Sequence, residues 1–427
     1  MKRPSVVADP VASVASIAFL LLAASLPWSI APISIAVVST AALTLAVWWR
    51  PGGALWTRTP VDLPALGWLC ALVLAAAFAQ DPAASWPRVA KGLLLLLVPV
   101  AAYHARDAAL ARRALAALFV STGVAAIYAL GRFVAQGPAF PNRVRGAVGH
   151  PLTYGGQVML VAALATAVAV RGRGRWRWGA LALLALLLPA LAGSYTRSAW
   201  IGYLAATAFI VAFVRARLLA FLAVGVAALV AILPGGYRER ALSVFDPSNP
   251  WNAQRVHMWE AGLRMFRDHP WTGVGLQDLH TLYERYKASG ATEPAGHLHS
   301  VYVHVAATMG ALGLLALAWL IAGLWRAASR GLRASRDLRG PRRGLGSAIP
   351  LGVSAGLIGF FVSGLMEWNL GDEELLDLLC VLVGIAFAAA GWPREVNPSA
   401  PSRSGDDTTP PNALNRPVAG AAAPRRE

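Results

Sequence analysis

Apolar runs of about twenty residues recur along the chain, and no other feature restricts its fold as much. They fall at 11–27, 31–49, 63–79, 89–103, 113–135, 151–170, 177–193, 198–214, 217–234, 299–325, 348–366 and 375–392. A helix of about twenty residues spans the roughly 30 Å hydrocarbon core of a bilayer. In that medium each backbone N–H and C=O must be satisfied within its own segment, which selects helices. The runs predict an all-α, polytopic membrane protein with about 12 transmembrane helices. Residues that are 57% hydrophobic and only 14% charged exclude an ordinary soluble domain. Pro27 and Pro32 interrupt the first two runs, which predicts a hairpin rather than one overlong helix.

The formal charge of +17 raises the question of nucleic acid. Most of the arginines lie in short linkers between apolar runs, where positive charge sets membrane orientation. The aromatic–basic interleaving of single-strand binders is absent, and no nucleic-acid partner is expected. With the N-terminus in the cytoplasm, the inner side collects Arg50 and Arg58, Arg106, Arg112 and Arg113, the cluster from Arg171, Arg215 and Arg217, and seven arginines from Arg326 to Arg343. The opposite linkers are poor in positive charge. The chain then divides into a cytoplasmic N-terminus (1–10), nine membrane helices (11–234), one large helical far-side loop (235–298), three further helices (299–392) and a tail (393–427). The tail is rich in Pro, Ser and Ala and reads as disordered and cytoplasmic. In a bacterium this orientation puts the loop in the periplasm, above the inner membrane. Lys2 and Arg3 precede the first run without a small-residue cleavage pattern, so that run is expected to stay as an anchor. Cys70 and Cys380 both lie within apolar runs and read as small buried side chains.

This orientation isolates exceptions. Arg132, Arg143, Arg145 and Arg197 are far-side arginines near membrane ends, with Arg88 and Lys91 as milder cases. Either they snorkel to lipid headgroups or they recognise an anionic group on a substrate. A helix starting after Thr196 in the short turn Ser194-Tyr195-Thr196-Arg197 aims N–H groups and a guanidinium at one space, which suits phosphate oxygens. Arg143, Arg145 and His150 stand near another helix start. In the loop, residues 252–268 predict an amphipathic helix with Val256, Trp259, Leu263 and Phe266 on its apolar face and Arg255 in its first turn. A mostly polar second helix is expected over 277–289. His297 and His299, two apart at a helix entrance, have the wrong spacing for one helix face and no carboxylate nearby in sequence, so no metal site is expected. Imidazole there suits proton transfer, with a plain helix-start histidine as the other reading. His304 reads as a packed or supporting residue, and His257, His269 and His280 as loop histidines. The acidic turn at 367–374 reads as solvation of the far side, with contact to an acceptor or cations as the alternative.

The order T-R-S-A-W, Q-R-V-H-M-W-E, D-H-P-W-T-G-V-G and H-L-H-S, followed by an apolar helix with M-G-A-L-G, resembles the O-antigen ligase family over residues 146–324. That family includes O-antigen polymerases and bacterial O-oligosaccharyltransferases. The resemblance implies a glycan moved from undecaprenyl diphosphate to an acceptor hydroxyl, inverting the anomeric centre, without cofactor or metal. It implies that Arg197 and Arg255 bind the diphosphate, with Arg143 and Arg145 beside them. The family histidine usually precedes Asn; His299-Ser300 is the nearest match, and His297 is the other candidate base. His150, Tyr195, Thr196 and His304 are candidates for support. The implied partners are the lipid-linked glycan, membrane lipids and an acceptor: lipid A–core in lipopolysaccharide assembly, a growing polysaccharide, or a protein. One dominant far-side loop favours the ligase. A non-enzymatic polytopic transporter is the alternative class, but no internal duplication is present.

Overall fold

The computed structural model describes residues 10–50, 56–138, 140–246, 248–336 (333–336 by backbone alone) and 344–392. The N-terminal segment 1–9, linker residues 337–343 and the expected tail 393–427 lie outside these residues. Among the described residues every regular element is helical. Two apolar helices, α1 (Pro10–Ser25) and α2 (Ile30–Trp48), form the expected hairpin. Next come α3 (Asp62–Ala77) and a broken stretch of α4 (Pro82–Val89), a 3-10 segment (Ala90–Leu96) and α5 (Leu97–His104). Pro87 lies inside α4, where a missing N–H weakens the helix. The chain continues through α6 (Ala108–Ala135), α7 (Pro151–Arg171), α8 (Gly174–Gly193), α9 (Arg197–Arg215) and α10 (Leu219–Ile232). The loop carries α11 (Gly235–Leu242), α12 (Pro250–Asp268) and α13 (His280–Tyr286). Last are α14 (Val301–Arg336), α15 (Leu345–Ser363) and α16 (Glu373–Ala389).

Each of the twelve apolar runs overlaps helix, and among the described residues eight helical stretches are long and apolar enough to cross a membrane. Helix starts follow local chemistry: Asp81, Asp107 and Asn249 accept from the first free N–H groups of α4, α6 and α12, and Pro82, Pro151 and Pro250 open their helices. The buried centre is α7 against α15, both covered nearly all round. There α9 crosses α15 through two glycines: a Cβ on Gly202 would lie 2.6 Å from the Gly359 carbonyl oxygen, and one on Gly359 2.7 Å from that of Gly202. Close backbone approach through small residues is how helices pack in lipid, where no hydrophobic drive exists between them. By contrast α10 has no buried residue.

The loop is joined to the bundle by a seam the sequence does not announce. Helix α14 breaks at Gly310, with φ 64° and ψ −157°. The break frees backbone groups, and residues 270–275 pair with them. The N–H groups of Val274 and Gly275 donate to the carbonyls of Ala307 and Thr308 (2.9 and 3.1 Å), and those of Ala311 and Leu312 to Pro270 and Trp271 (2.8 and 3.2 Å). Irregular backbone beside an apolar helix needs such complete pairing. Gly273 and Gly310 make the approach possible: a Cβ on Gly273 would meet the Thr308 backbone at 2.2 Å, and one on Gly310 the Trp271 backbone at 2.4 Å. The motifs T-G-V-G and M-G are two sides of this one contact.

Two readings of the loop are corrected. The buried face of α12 is Met258, Ala261, Gly262 and Met265; Val256 and Leu263 are exposed. Small residues face the bundle because Leu298 and Val303 press against Gly262, leaving no room for the larger side chains. Pro250 at the first helical position starts α12 earlier than expected and puts Arg255 in its second turn, past the free N–H groups. The second loop helix is shorter than 277–289, because Lys287 leaves it in extended conformation.

Candidate functional site

The site lies at the end of the bundle where α8 meets α9, α15 meets α16 and the loop enters α14. At the turn between α8 and α9, Tyr195 has a φ of 50° and Thr196 stands just before the first residue of α9, without a capping bond from its side chain. Arg143 locks this turn, donating from Nε to the Ser194 carbonyl (2.7 Å) and from Nη2 to Thr196 Oγ1 (3.0 Å), while Thr196 Oγ1 donates to the Pro151 carbonyl (2.9 Å). Tyr195 is buried and stacks on Tyr237 at 4.7 Å. Thr196 and Tyr195 are thus parts of the turn's frame. Arg197, the first residue of α9, is only 4% exposed. Its Nη1 donates to the carbonyl and hydroxyl of Ser243 (3.0 and 2.9 Å), and its buried Nη2 has no hydrogen-bond partner.

Arg240 from α11 joins this group, donating from Nε to the Tyr195 carbonyl at 3.3 Å with its guanidinium over the Phe140 ring. Burial, and then the charge of Arg255, lowers its pKa. Arg143 is pushed down to about 10 by burial and then by Arg240, and stays charged at neutral pH. Arg145 is exposed and acts on the group through its charge on Arg143. Half-buried guanidiniums that hold backbone oxygens keep their full charge uncompensated, so the pocket attracts an anion.

Across this space stand the histidines. His299 has a φ of 43°; it and Tyr195 are the non-glycine residues with positive φ among the described residues, and both belong to this site. Such strain persists only where surrounding structure imposes it. His299 Nδ1 lies 2.9 Å from Glu367 Oε1, His297 Nε2 lies 3.7 Å from the same oxygen, and Arg255 Nη2 is 3.7 Å from Glu367 Oε2. Burial alone would raise the Glu367 carboxyl. The imidazoles of His297 and His299, then the charge of Arg255, outweigh it and hold the group well below the usual carboxylate range. In the neutral tautomer that donates from Nδ1 to an ionised Glu367, His299 presents Nε2 as an acceptor.

Glu367 overturns the solvation reading for its own position in the acidic turn, since it is buried. It also supplies the carboxylate that spacing lacked: His297, His299 and Glu367 bring three possible ligand atoms within 4.8 Å of one another. Arg255 beside this trio disfavours a cation there. Sequence reasoning missed Arg240 and Glu367. The acidic turn held a signal for Glu367; Arg240 sits in a loop where arginine is ordinary.

His150 precedes α7 with Nδ1 3.4 Å from Thr153 Oγ1, and Thr153 donates to Asp372 at 3.2 Å. Burial, and then the charge of Glu367, raises the Asp372 carboxyl from its ordinary 3.8 to about 7. The folded chain therefore holds an extra proton between these values, and stability falls as pH rises from about 4 to about 7. Asp372→Asn should remove that slope, so its melting temperature relative to the parent should climb between pH 5 and pH 8 in detergent. Glu367 has the opposite sign: it stabilises above the ordinary carboxylate range and that contribution is lost only in strong acid. His304, one turn into α14, packs on Trp368 at 4.0 Å and with His297 lines a cavity of about 450 Å³ whose walls mix polar and apolar side chains. Arg88 and Lys91 edge this cavity and are paired with Asp278 (3.9 Å) and Glu373 (2.9 Å). Arg132 lies away from the cluster, against Tyr128.

No curated protein matches the chain. The family model described as O-antigen ligase matches residues 182–318. The match begins within α8 and ends within α14, so it takes in Arg197, Arg240, Arg255 and both histidines but neither Arg143 nor Glu367. Apolar helices make the chain a polytopic membrane protein, and the match makes residues 182–318 similar to the O-antigen ligase family, which supports glycosyl transfer of the ligase or polymerase type as the broad function.

Proposed function

We propose that the chain transfers a glycan from undecaprenyl diphosphate to an acceptor hydroxyl, and that the acceptor is lipid A–core, in lipopolysaccharide assembly at the periplasmic face of the bacterial inner membrane. One observation carries the reading: a half-buried group of arginines, one with an unpartnered Nη2, faces a histidine whose Nδ1 is held by a carboxylate. In this mechanism the diphosphate lies among Arg143, Arg197, Arg240 and Arg255. The acceptor oxygen attacks the anomeric carbon from the opposite face as the bond to the diphosphate oxygen breaks, which inverts the centre. His299 Nε2 takes the hydroxyl proton, and the arginines stabilise the charge that develops on the departing diphosphate. Glu367 orients His299 and stabilises the imidazolium. His297, at the wall of the neighbouring cavity, lies on the acceptor side.

The test is product formation by purified protein with lipid-diphosphate donor and, in separate reactions, lipid A–core, a lipid-linked repeat unit and an acceptor protein. Product on lipid A–core alone supports the ligase; product only on another acceptor moves the chain to that branch; no transfer to any acceptor rejects the reading. Arg197→Ala and Arg255→Ala should each lower turnover roughly 10²–10³-fold, the scale for one donor to a developing oxyanion. Turnover should survive a chelator unchanged.

A further inference from the structure

The cavity of about 450 Å³ beside His297 is walled by α3, the broken stretch from α4 to α5, and α14. Its lining changes character with depth. The side chains nearest solvent are charged or polar: Arg88, Lys91, Asp278 and His280. The cations there are already paired, Arg88 with Asp278 and Lys91 with Glu373, so the mouth carries little net charge. The deep side chains are apolar: Leu95, Met309 and Leu320 are each at most 2% exposed. Trp68 and Trp368 also line it, and the C–H side of a sugar ring can pack against such aromatic surface. Apolar and aromatic walls with a few polar groups are the common form of a small-ligand site, and the volume falls within the usual range of roughly 300–1,000 Å³. His297 joins this cavity to the reacting centre, since its Nε2 lies 3.7 Å from the Glu367 oxygen that holds His299.

We infer that this cavity seats the accepting sugar and selects one that carries a methyl group, as in an N-acetylated or a 6-deoxy sugar, over the same sugar without it. The inference rests on the glycan transfer proposed above and adds the chemistry of the acceptor. A sugar in the cavity keeps most of its hydroxyls at the polar mouth, with the accepting one at His297 and His299. The part that reaches the floor meets Leu95, Met309 and Leu320. The polar groups at that depth are engaged or closed off: Thr308 donates to the His304 carbonyl at 2.7 Å, and His304 Nδ1 is enclosed. A hydroxyl on the floor is therefore buried without a partner, which costs free energy, whereas a methyl group is stabilised by the same contact. An acidic sugar fares worse, because its carboxylate must displace Asp278 or Glu373 from a cation that is already paired.

The test gives the full chain in detergent a lipid-diphosphate donor and lipid A–core acceptors that differ only in the accepting sugar: glucose, 6-deoxyglucose, N-acetylglucosamine or glucuronic acid. A methyl-bearing sugar should exceed glucose in kcat/KM by roughly 10–200-fold, the scale for one such group in an apolar pocket, and glucuronic acid should be the poorest. Whichever methyl-bearing sugar leads shows which methyl position reaches the floor. Leu95→Asn and Met309→Gln keep side-chain size but put an amide on the floor. Each should shrink the ratio, and a thermal melt reports whether each is folded. Glucose equal to both methyl-bearing sugars, glucuronic acid as the best acceptor, or an unchanged ratio in the folded floor variants overturns the inference alone. Transfer to none of the four rejects instead the ligase reading on which it rests.

Discussion

Replacing His299 by alanine should lower turnover by roughly 10²–10⁴-fold, the usual contribution of one positioned general base. Some stability should be lost too, because the buried Glu367 carboxylate loses its 2.9 Å partner, so turnover is compared on protein shown by its melt to be folded. The loss should lie in turnover more than in donor KM, since the arginines proposed to hold the diphosphate are untouched. Glu367→Gln should cost less than His299→Ala, because a neutral amide still accepts from Nδ1 but no longer stabilises the imidazolium. It should also leave Arg255 without its carboxylate, so donor KM should move as well. The double variant should be close to His299→Ala alone, as expected for residues that act through one another. His297→Ala is the control for assignment. Full turnover in both His299→Ala and His297→Ala would falsify a histidine base, and loss confined to His297→Ala would transfer the role.

The second large effect is structural. Gly273→Ala should destabilise the protein by roughly 3 kcal/mol or more, since backbone strain and a buried clash combine. The added Cβ would lie 2.2 Å from the Thr308 carbonyl carbon and 2.4 Å from the Met309 nitrogen, at a φ of 69° that side chains rarely adopt. Backbone atoms on both sides leave no flexible side chain to give way. Gly310→Ala should behave alike, because it attacks the same seam from the other side. Gly236→Ala, where a Cβ meets nothing within 4 Å, should be neutral. Melting of detergent-purified protein gives the comparison; similar melts for Gly273→Ala and Gly236→Ala would show that the seam contributes nothing.

The helices were readable because membrane length and backbone satisfaction leave one solution for a long apolar run. Arg143, Arg197, Arg255 and the histidines drew notice for a different reason: cations placed where orientation does not want them, and imidazoles at a helix start. What could not be read was pairing over distance. Glu367 meets His299 from 68 residues away, and nothing in a local turn announces that partner. Arg240 is hidden by company, as one basic residue in a polar loop. The face of α12 was misjudged because periodicity ranks side chains by size and apolarity. The bundle instead selected by fit, taking Gly262 where Leu298 and Val303 left no space.

The seam at Gly310 also constrains how the proposed lipid-linked donor would get in. Four backbone hydrogen bonds fasten the middle of the loop, residues 270–275, to a membrane helix, so that part cannot swing as a lid without bending α14. Any gate must then be hinged elsewhere, in the stretch around α11, where Ser243 occupies Arg197. An arriving diphosphate would evict Ser243, turning the arginine's resting contact into a latch that the donor itself springs.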